Sequence, residues 1–180
     1  MKTIALFGGS FDPPHIAHET VVREALKIKD VDKVVVMPTF LNPFKSHSHA
    51  PSSLRIKWLK AIFKEFEDVE VNSFEVDSGR KVSSIASVRY LLKRYKKIYL
   101  IIGADNLKSL HLWDRYDELK TLVTFVVATR DEIIVPEKFL TLKVEENISS
   151  TKLRDGIDSS MLPKVCAKEI IKFYKEKNDK

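Results

Sequence analysis

Residues 3–18, TIALFGGSFDPPHIAH, join a short apolar run to an amphipathic segment through two adjacent glycines. The run Thr3–Phe7 is typical of a buried strand, and apolar residues recur at helical spacing from Ile16 to Ile28. Glycine lets the backbone approach a ligand closely, and the first turn of a helix presents N–H groups that favour phosphate. The stretch therefore predicts a strand, a phosphate-binding turn and a helix.

Strand-like and helix-like segments alternate along the rest of the chain. Further strands are predicted at Lys33–Met37, Val69–Val76, Ile98–Ile102 and Leu122–Ala128. Further helices are predicted at Leu54–Phe66, Val82–Tyr95, Ser149–Gly156 and from Pro163 to about Lys177. Several strands are apolar throughout, which favours a parallel sheet covered on both faces. We therefore expect an α/β fold, a Rossmann-like doubly wound parallel sheet in a single domain over residues 1–180, with ligands beyond the carboxyl ends of its strands.

Composition excludes several classes of protein. The chain has 180 residues with 31 Lys and Arg against 25 Asp and Glu, a formal net charge of +6, and 44% hydrophobic residues. Its one cysteine, Cys166, forms no intrachain disulfide, which fits a reducing cytoplasm. No segment approaches the ~20 apolar residues that cross a bilayer. A membrane span, a secreted disulfide scaffold and a disordered chain are excluded, and a cytoplasmic location is expected.

The two histidines after the glycine turn are the first candidate site residues. His15 and His18 are three residues apart, so they share one face of the first helical turn, where a histidine can donate a hydrogen bond to a phosphate oxygen. Zinc is a competing use, with His47 and His49 as further ligands. These spacings fit none of the usual zinc patterns, so no metal site is expected among them.

Three further positions favour a nucleotide, although each also has an ordinary structural interpretation. Ser149–Thr151 can cap a helix whose first turns hold Arg154, which suits an anion or is a plain N-cap with a solvated arginine. Asp105, after Gly103 at a strand end, suits a ribose or a helix N-cap. Trp113 could stack on a flat ring or serve as packing, whereas Trp58 and Cys166 are expected in the core.

Two basic residues follow strands on the ligand side of the predicted sheet. Lys45 and Arg130 could together neutralise charge on two phosphates that are brought close to each other. The lysines from Lys164 to Lys180 could instead indicate nucleic-acid binding. They are interspersed with acidic residues, as on a solvated helix face, so no nucleic-acid partner is expected.

The ordered motifs resemble a known family. Gly8–His18 resembles the G-G-[ST]-F-D-P-x-H-x-G-H signature of the nucleotidylyltransferase superfamily. With IIGADNL at residues 101–107 and ISSTKLR at residues 148–154, the chain is similar to bacterial nicotinate-nucleotide adenylyltransferases, in that family's motif order.

The resemblance implies direct transfer of the adenylyl group of ATP to nicotinate mononucleotide, giving deamido-NAD and pyrophosphate, with Mg²⁺ bound through the ATP phosphates. The implied catalytic residues are His15, His18, Lys45 and Arg154. The implied ATP-binding residues are Gly8, Gly9, Ser10, Phe11, His15, His18, Gly103, Asp105, Ile148, Ser149, Ser150, Thr151 and Arg154. The implied mononucleotide-binding residues are Lys45, Ser83, Ser84, Trp113 and Arg130. Nicotinamide mononucleotide and another phosphate ester, such as phosphopantetheine, are the alternative acceptors.

The chain departs from this family's pattern at four places. Ala17 replaces a glycine, Phe44 stands where histidine is frequent, and Ser83 stands where tyrosine is frequent. The segment Thr129–Glu132 lacks the Pro-Gly that often follows the arginine. These departures bear on the acceptor more than on ATP, so the reaction class is the firmer expectation.

Overall fold

A parallel sheet lies at the centre of the computed structural model, which describes residues 1–129 and 133–180. Six strands occur in these ranges: β1 Thr3–Gly9, β2 Lys33–Pro38, β3 Val69–Val71, β4 Lys97–Gly103, β5 Thr124–Thr129 and β6 Leu140–Lys143. Their order is β3-β2-β1-β4-β5-β6, and each neighbouring pair runs parallel. The order reverses between β1 and β4, and a ligand is expected beyond that point.

Helices cover both faces of the sheet. They are α1 Ile16–Ala25, α2 Ser52–Ile62, α3 Phe74–Asp77, α4 Ser84–Leu92, α5 Tyr116–Leu122, α6 Ser150–Asp155 and α7 Ala167–Asn178. Successive residues of a strand point to opposite faces, so Ala5 and Phe7 pack in one apolar cluster with α1, α2 and α7. Ile4 and Leu6 pack in a second cluster with α4 and α5. The doubly wound α/β fold expected from the sequence is confirmed.

Two elements that the sequence did not predict complete the sheet and its cover. Strand β6 has only Leu142 buried, because it lies at the sheet edge, so it lacks the apolar run that marks the central strands. Helix α5 is short and buries only Leu119. Both elements therefore escape a search for long periodic patterns.

One predicted strand is much shorter than expected. The alternation over Val69–Val76 predicted a single strand, yet β3 ends at Val71 and α3 begins at Phe74. Asn72 lies between them, and its side-chain oxygen accepts a hydrogen bond from the Phe74 N–H at 3.0 Å. This local turn redirects the chain. The last helix likewise begins at Ala167 rather than at Pro163.

Candidate active site

Two cavities open beyond the carboxyl ends of the strands and share a wall. The basic cavity, of about 270 Å³, is lined by Ser10, Asp12, Thr39, Leu41, Asn42, Phe44, Lys45, Ser46, His47, Ser48, His49, Arg55, Thr151 and Arg154. The apolar cavity, of about 230 Å³, is lined by Gly8, Gly9, Thr39, Asn42, Pro43, Phe44, Glu75, Val82, Ser83, Ser84, Leu100, Ile101, Ile102, Gly103, Asn106, Trp113 and Asp114. Both include Thr39, Asn42 and Phe44, so the two form one continuous region at the strand-order reversal.

The basic cavity is organised around the carboxylate of Asp12, which is only 3% exposed. It accepts hydrogen bonds from the N–H groups of His49 (2.7 Å) and Ala50 (2.9 Å) and from the hydroxyl of Tyr174. Burial by itself would raise the pKa of Asp12, but these bonds and the charge of Arg154 outweigh it, so the pKa lies below its ordinary value. Asp12 therefore holds the turn between β1 and α1, the loop of residues 39–51 and α7 together as a stable anion.

A buried guanidinium also connects the turn between β1 and α1 to the loop of residues 39–51. Arg55 of α2 is fully buried and donates to the main-chain carbonyls of Ala50 (3.1 Å), Ser10 (2.6 Å) and Phe40 (2.9 Å). Burial lowers the pKa of Arg55, and the charge of Asp12 works against that shift. Because an arginine has five donors in a rigid fork, one side chain fixes three carbonyls at once.

Helix α6 brings its polar residues to the same cavity. Ser149 caps the helix by accepting from the Lys152 N–H at 3.2 Å, and Ser150 donates to the Pro13 carbonyl at 2.8 Å. Arg154 donates to the Asp12 carbonyl and, at 3.3 Å, to the hydroxyl of Thr151. The two distant motifs of the sequence are therefore joined by direct contacts.

The two histidines lie beside these cavities rather than among the residues that line them. His15 is 2% exposed and precedes α1, and its ring stacks on that of His18 with centroids 3.6 Å apart. The His15 N–H donates to Nδ1 of His18 at 3.1 Å. A neutral His18 consequently carries its ring proton on Nε2, which is the tautomer that can donate to a phosphate oxygen.

Two residues of the predicted ATP site present their side chains to the core. Phe11 has a left-handed backbone (φ 48) and is 2% exposed, with its ring 5.3 Å from that of Phe7. Ile148 is 5% exposed within the same apolar cluster. These two residues could therefore contact a nucleotide only through their main-chain atoms.

Gly103 ends β4 next to the side chain of Asp105. A Cβ on Gly103 would lie 2.5 Å from Oδ1 of Asp105, so a larger residue there would require the exposed carboxylate of Asp105 to turn away. Asp105 is exposed in the 3₁₀ helix Ala104–Lys108, whose N-cap residue is Gly103. The alternative interpretation of Asp105 as a helix N-cap is therefore wrong.

Trp113 packs against the core, as one of the two interpretations expected, and its place at a cavity leaves the stacking role a prediction. It is partly buried against the second apolar cluster, and it also lines the apolar cavity. Within the part of the chain that the structure describes, its Nε1 is buried with no hydrogen-bond partner. Ser83 and Ser84 lie in the same cavity wall. Trp58 and Cys166 are buried in the core as expected, and burial raises the pKa of Cys166 to about 12.

Several residues at the cavities had no clear sequence signal. Arg55 and Tyr174 lie inside helical apolar patterns, where neither stands out, and Glu75 lies in a stretch predicted as a strand. Thr39, at the shared wall, has a buried hydroxyl without a partner in the described residues. Its place just after β2 is the one signal that could have identified it, through the strand-end rule.

Three further expectations concern Arg130, a metal site and a membrane span. Arg130 lies outside the described residues. In the described ranges, no cluster of three or more His, Cys, Asp or Glu side chains could hold a metal ion, and His47 and His49 do not join the other two histidines in one. None of the helices in those ranges combines the length and apolar character needed to cross a membrane.

Comparisons with known proteins identify the family. Residues 6–156 match the cytidylyltransferase-like family. A Sulfurimonas denitrificans protein named "Probable nicotinate-nucleotide adenylyltransferase" is 62% identical over 180 residues, covering 100% of this chain and 99% of that protein. A protein of the same name from Nitratiruptor sp. is 48% identical over 174 residues, covering 96% and 98%.

A solved structure shares the fold. The Plasmodium falciparum nicotinic acid mononucleotide adenylyltransferase complexed with NaAD superposes with a TM-score of 0.80, at 20% identity, over 97% of this chain and 98% of that chain. From the sequence match over nearly the whole chain, this protein belongs to the cytidylyltransferase-like family and, within it, to the nicotinate-nucleotide adenylyltransferases.

Proposed function

We propose that residues 1–180 act as a single nucleotidylyltransferase domain that transfers the adenylyl group of ATP to nicotinate mononucleotide, as expected for a step of NAD biosynthesis. The observation that carries the proposal is the pair of adjoining cavities. One is lined by Lys45, Thr151 and Arg154, which suits a triphosphate, and the other by Trp113, which suits a pyridine ring. The names of the curated relatives point to the same reaction.

The reaction needs no nucleophile from the protein. An oxygen of the mononucleotide 5′-phosphate attacks the α-phosphorus of ATP, the new O–P bond forms, and the bond to the β-phosphate oxygen breaks. The electron pair leaves with pyrophosphate, and deamido-NAD is the second product. Such a transfer depends on aligning two anionic groups and on stabilising the charge that develops between them.

The residues of the basic cavity would meet those needs. Lys45 and Arg154 offer cations toward the two phosphates that must approach each other, and Thr151 offers a hydroxyl beside Arg154. His18 would donate from Nε2 to a phosphate oxygen, with its ring held by the His15 N–H. Gly8 and Gly9 have no side chains, so a substrate could approach the main chain closely at the end of β1.

The divalent cation of this reaction would enter with its substrate, as MgATP. The described residues provide no cluster of acidic side chains for a protein-bound ion, whereas the triphosphate itself offers the hard oxygen ligands that Mg²⁺ prefers. Lys45 and Arg154 would then share the remaining negative charge with the ion.

Pyrophosphate release tests the proposal directly. MgATP is incubated with the protein and either nicotinate mononucleotide, nicotinamide mononucleotide or phosphopantetheine in separate reactions. We expect the highest kcat/KM with nicotinate mononucleotide. The expected product of that reaction is deamido-NAD. Faster release with phosphopantetheine would contradict the assignment of the apolar cavity, and no release with any acceptor would contradict the reaction.

A further inference from the structure

One titratable group at the apolar cavity is not used by this mechanism. Glu75 of α3 lines the cavity, is 6% exposed, and accepts a hydrogen bond from the hydroxyl of Ser87 at 2.6 Å. Ser87 lies on α4, so this contact places the carboxyl between two helices at the cavity wall. A buried carboxyl beside a ligand pocket is a candidate for a role in ligand selection.

The charges around Glu75 leave it without a cationic partner. Among the described residues that line the apolar cavity there is no Lys or Arg, and the other acid is Asp114. The charged groups of the neighbouring elements are engaged elsewhere. Asp77 accepts from Ser73, Lys81 donates to the Pro43 carbonyl, and Arg89 pairs with Glu118.

The two pyridine mononucleotides differ in the group that such a carboxyl would meet. The acid form carries a carboxylate, which an ionised Glu75 repels and a protonated Glu75 can bind as a donor. The amide form carries a neutral group whose NH₂ can donate to an ionised Glu75. Because no Lys or Arg is among the described residues of the cavity wall, and Asp114 is exposed, the charge state of the buried Glu75 decides which form is favoured.

We propose, building on the adenylyl transfer above, that Glu75 selects between the acid and the amide forms of the mononucleotide, and that it holds a proton when the acid form is bound. The burial of the carboxyl supports this assignment. Burial raises the pKa of Glu75 to about 7, and the Ser87 hydrogen bond works against that rise. The free enzyme thus changes its preference between the two mononucleotides across neutral pH. Above pH 7, binding of the acid form is accompanied by uptake of a proton.

The test is the pH dependence of the ratio of kcat/KM for the acid to kcat/KM for the amide. The phosphate of both mononucleotides titrates near pH 6, so its effect cancels in the ratio. For one group of pKa about 7, the response of the acid form alone lowers the ratio for the unmodified protein about tenfold from pH 6 to pH 8. Binding of the amide form to the ionised carboxyl lowers the ratio further, to about 100-fold when each form binds only one state of Glu75. In Glu75→Gln the ratio stays within about twofold over that range.

Two further variants separate selection from a merely structural role. Asp77→Asn makes the same change at an exposed position of the same helix and keeps the pH dependence of the unmodified protein. Ser87→Ala removes a bond that favours the ionised carboxyl, so the inflection moves to higher pH. Thermal unfolding of each variant confirms that it is folded.

The outcomes distinguish this inference from the proposed function. A flat ratio in the unmodified protein, or the same pH dependence in Glu75→Gln, overturns the role of Glu75 while leaving the adenylyl transfer intact. Release of pyrophosphate with neither pyridine mononucleotide overturns the proposed function and this inference together. If Glu75→Gln does not fold, the profile of the unmodified protein and the shift in Ser87→Ala still decide.

Discussion

The two cavities are built in different ways, although they share a wall. The basic cavity is held by hydrogen bonds between segments far apart in the chain, such as Arg154 to the Asp12 carbonyl and Tyr174 to the Asp12 carboxylate. The apolar cavity is formed mainly by strand ends and by α3 and α4, and its one buried acid bonds a neighbouring helix. A site for phosphates needs fixed charge, whereas a site for a ring needs shape and few charges.

The largest expected effect comes from removing a charge of the basic cavity. Arg154→Ala should lower kcat by about 10²–10³-fold, as for the loss of one donor to developing charge. The loss should be equal for acid and amide acceptors, because the basic cavity is the one that we propose for the phosphates. Pyrophosphate release with both acceptors measures it.

Lys152→Ala is the matched control for that prediction. Lys152 lies on the same helix α6 and its side chain is exposed, so its removal should change kcat by less than about twofold. An Arg154→Ala enzyme of normal turnover, or one impaired with only one acceptor, would contradict the division of roles between the two cavities.

The buried carboxyl of the apolar cavity should also affect stability. Burial raises the pKa of Glu75 to about 7 above its ordinary value near 4.5. Glu75 therefore contributes about 3 kcal/mol to the free energy of unfolding below about pH 4.5, relative to high pH. This contribution is lost as pH rises through about 7. We expect Glu75→Gln to gain stability relative to the unmodified protein across that range, measured by urea unfolding at pH 5 and pH 8.

Asp77→Asn again serves as the control, since Asp77 is exposed on the same helix. Its stability difference from the unmodified protein should be the same at both pH values. If Glu75→Gln differed in stability from the unmodified protein by the same amount at pH 5 and pH 8, the carboxyl would ionise as easily in the folded state as in the unfolded state.

The network of the basic cavity should show the opposite pH dependence. Tyr174→Phe removes a donor to the Asp12 carboxylate and should lower the free energy of unfolding by about 1.5–3 kcal/mol at pH 7. The folded pKa of Asp12 lies below its ordinary value of 3.8, so this stabilisation is present above about pH 4 and lost as pH falls through the folded pKa. Urea unfolding at pH 7 and at acid pH measures the difference.

Tyr116→Phe removes a hydroxyl from α5, which is on the other face of the sheet from this network. It should cost less than about 0.5 kcal/mol at either pH. If Tyr174→Phe were equally mild at pH 7, the Asp12 hydrogen bond would not be what joins α7 to the turn between β1 and α1.

The smallest effect is expected for the ring that faces the apolar cavity. Trp113→Ala should raise KM for the mononucleotide by about tenfold, the value of one stacking contact, and should leave KM for ATP within about twofold. Leu112→Ala, at a 68% exposed neighbour, is the control and should change neither constant. A larger effect on ATP than on the mononucleotide would place the ring of Trp113 beside the wrong substrate.

Local pattern predicted much of this architecture. The apolar runs identified β1, β2, β4 and β5, and the rule that parallel sheets bind ligands at strand ends led to Gly103 and Trp113. The same reasoning missed β6 and α5, because an edge strand and a short helix bury too few side chains to produce a periodic signal.

The sequence by itself determined the four central strands of the sheet, its two covered faces and the motifs that identify the family, because hydrophobic period and glycine position act over a few residues. Only the tertiary structure decided which distant groups meet. It placed Arg55 on three carbonyls, Tyr174 on Asp12, and Glu75 at the wall of a cavity whose described residues include no Lys or Arg. Burial and long-range hydrogen bonds set the charge state of such groups, and neither is encoded in the neighbouring residues of the chain.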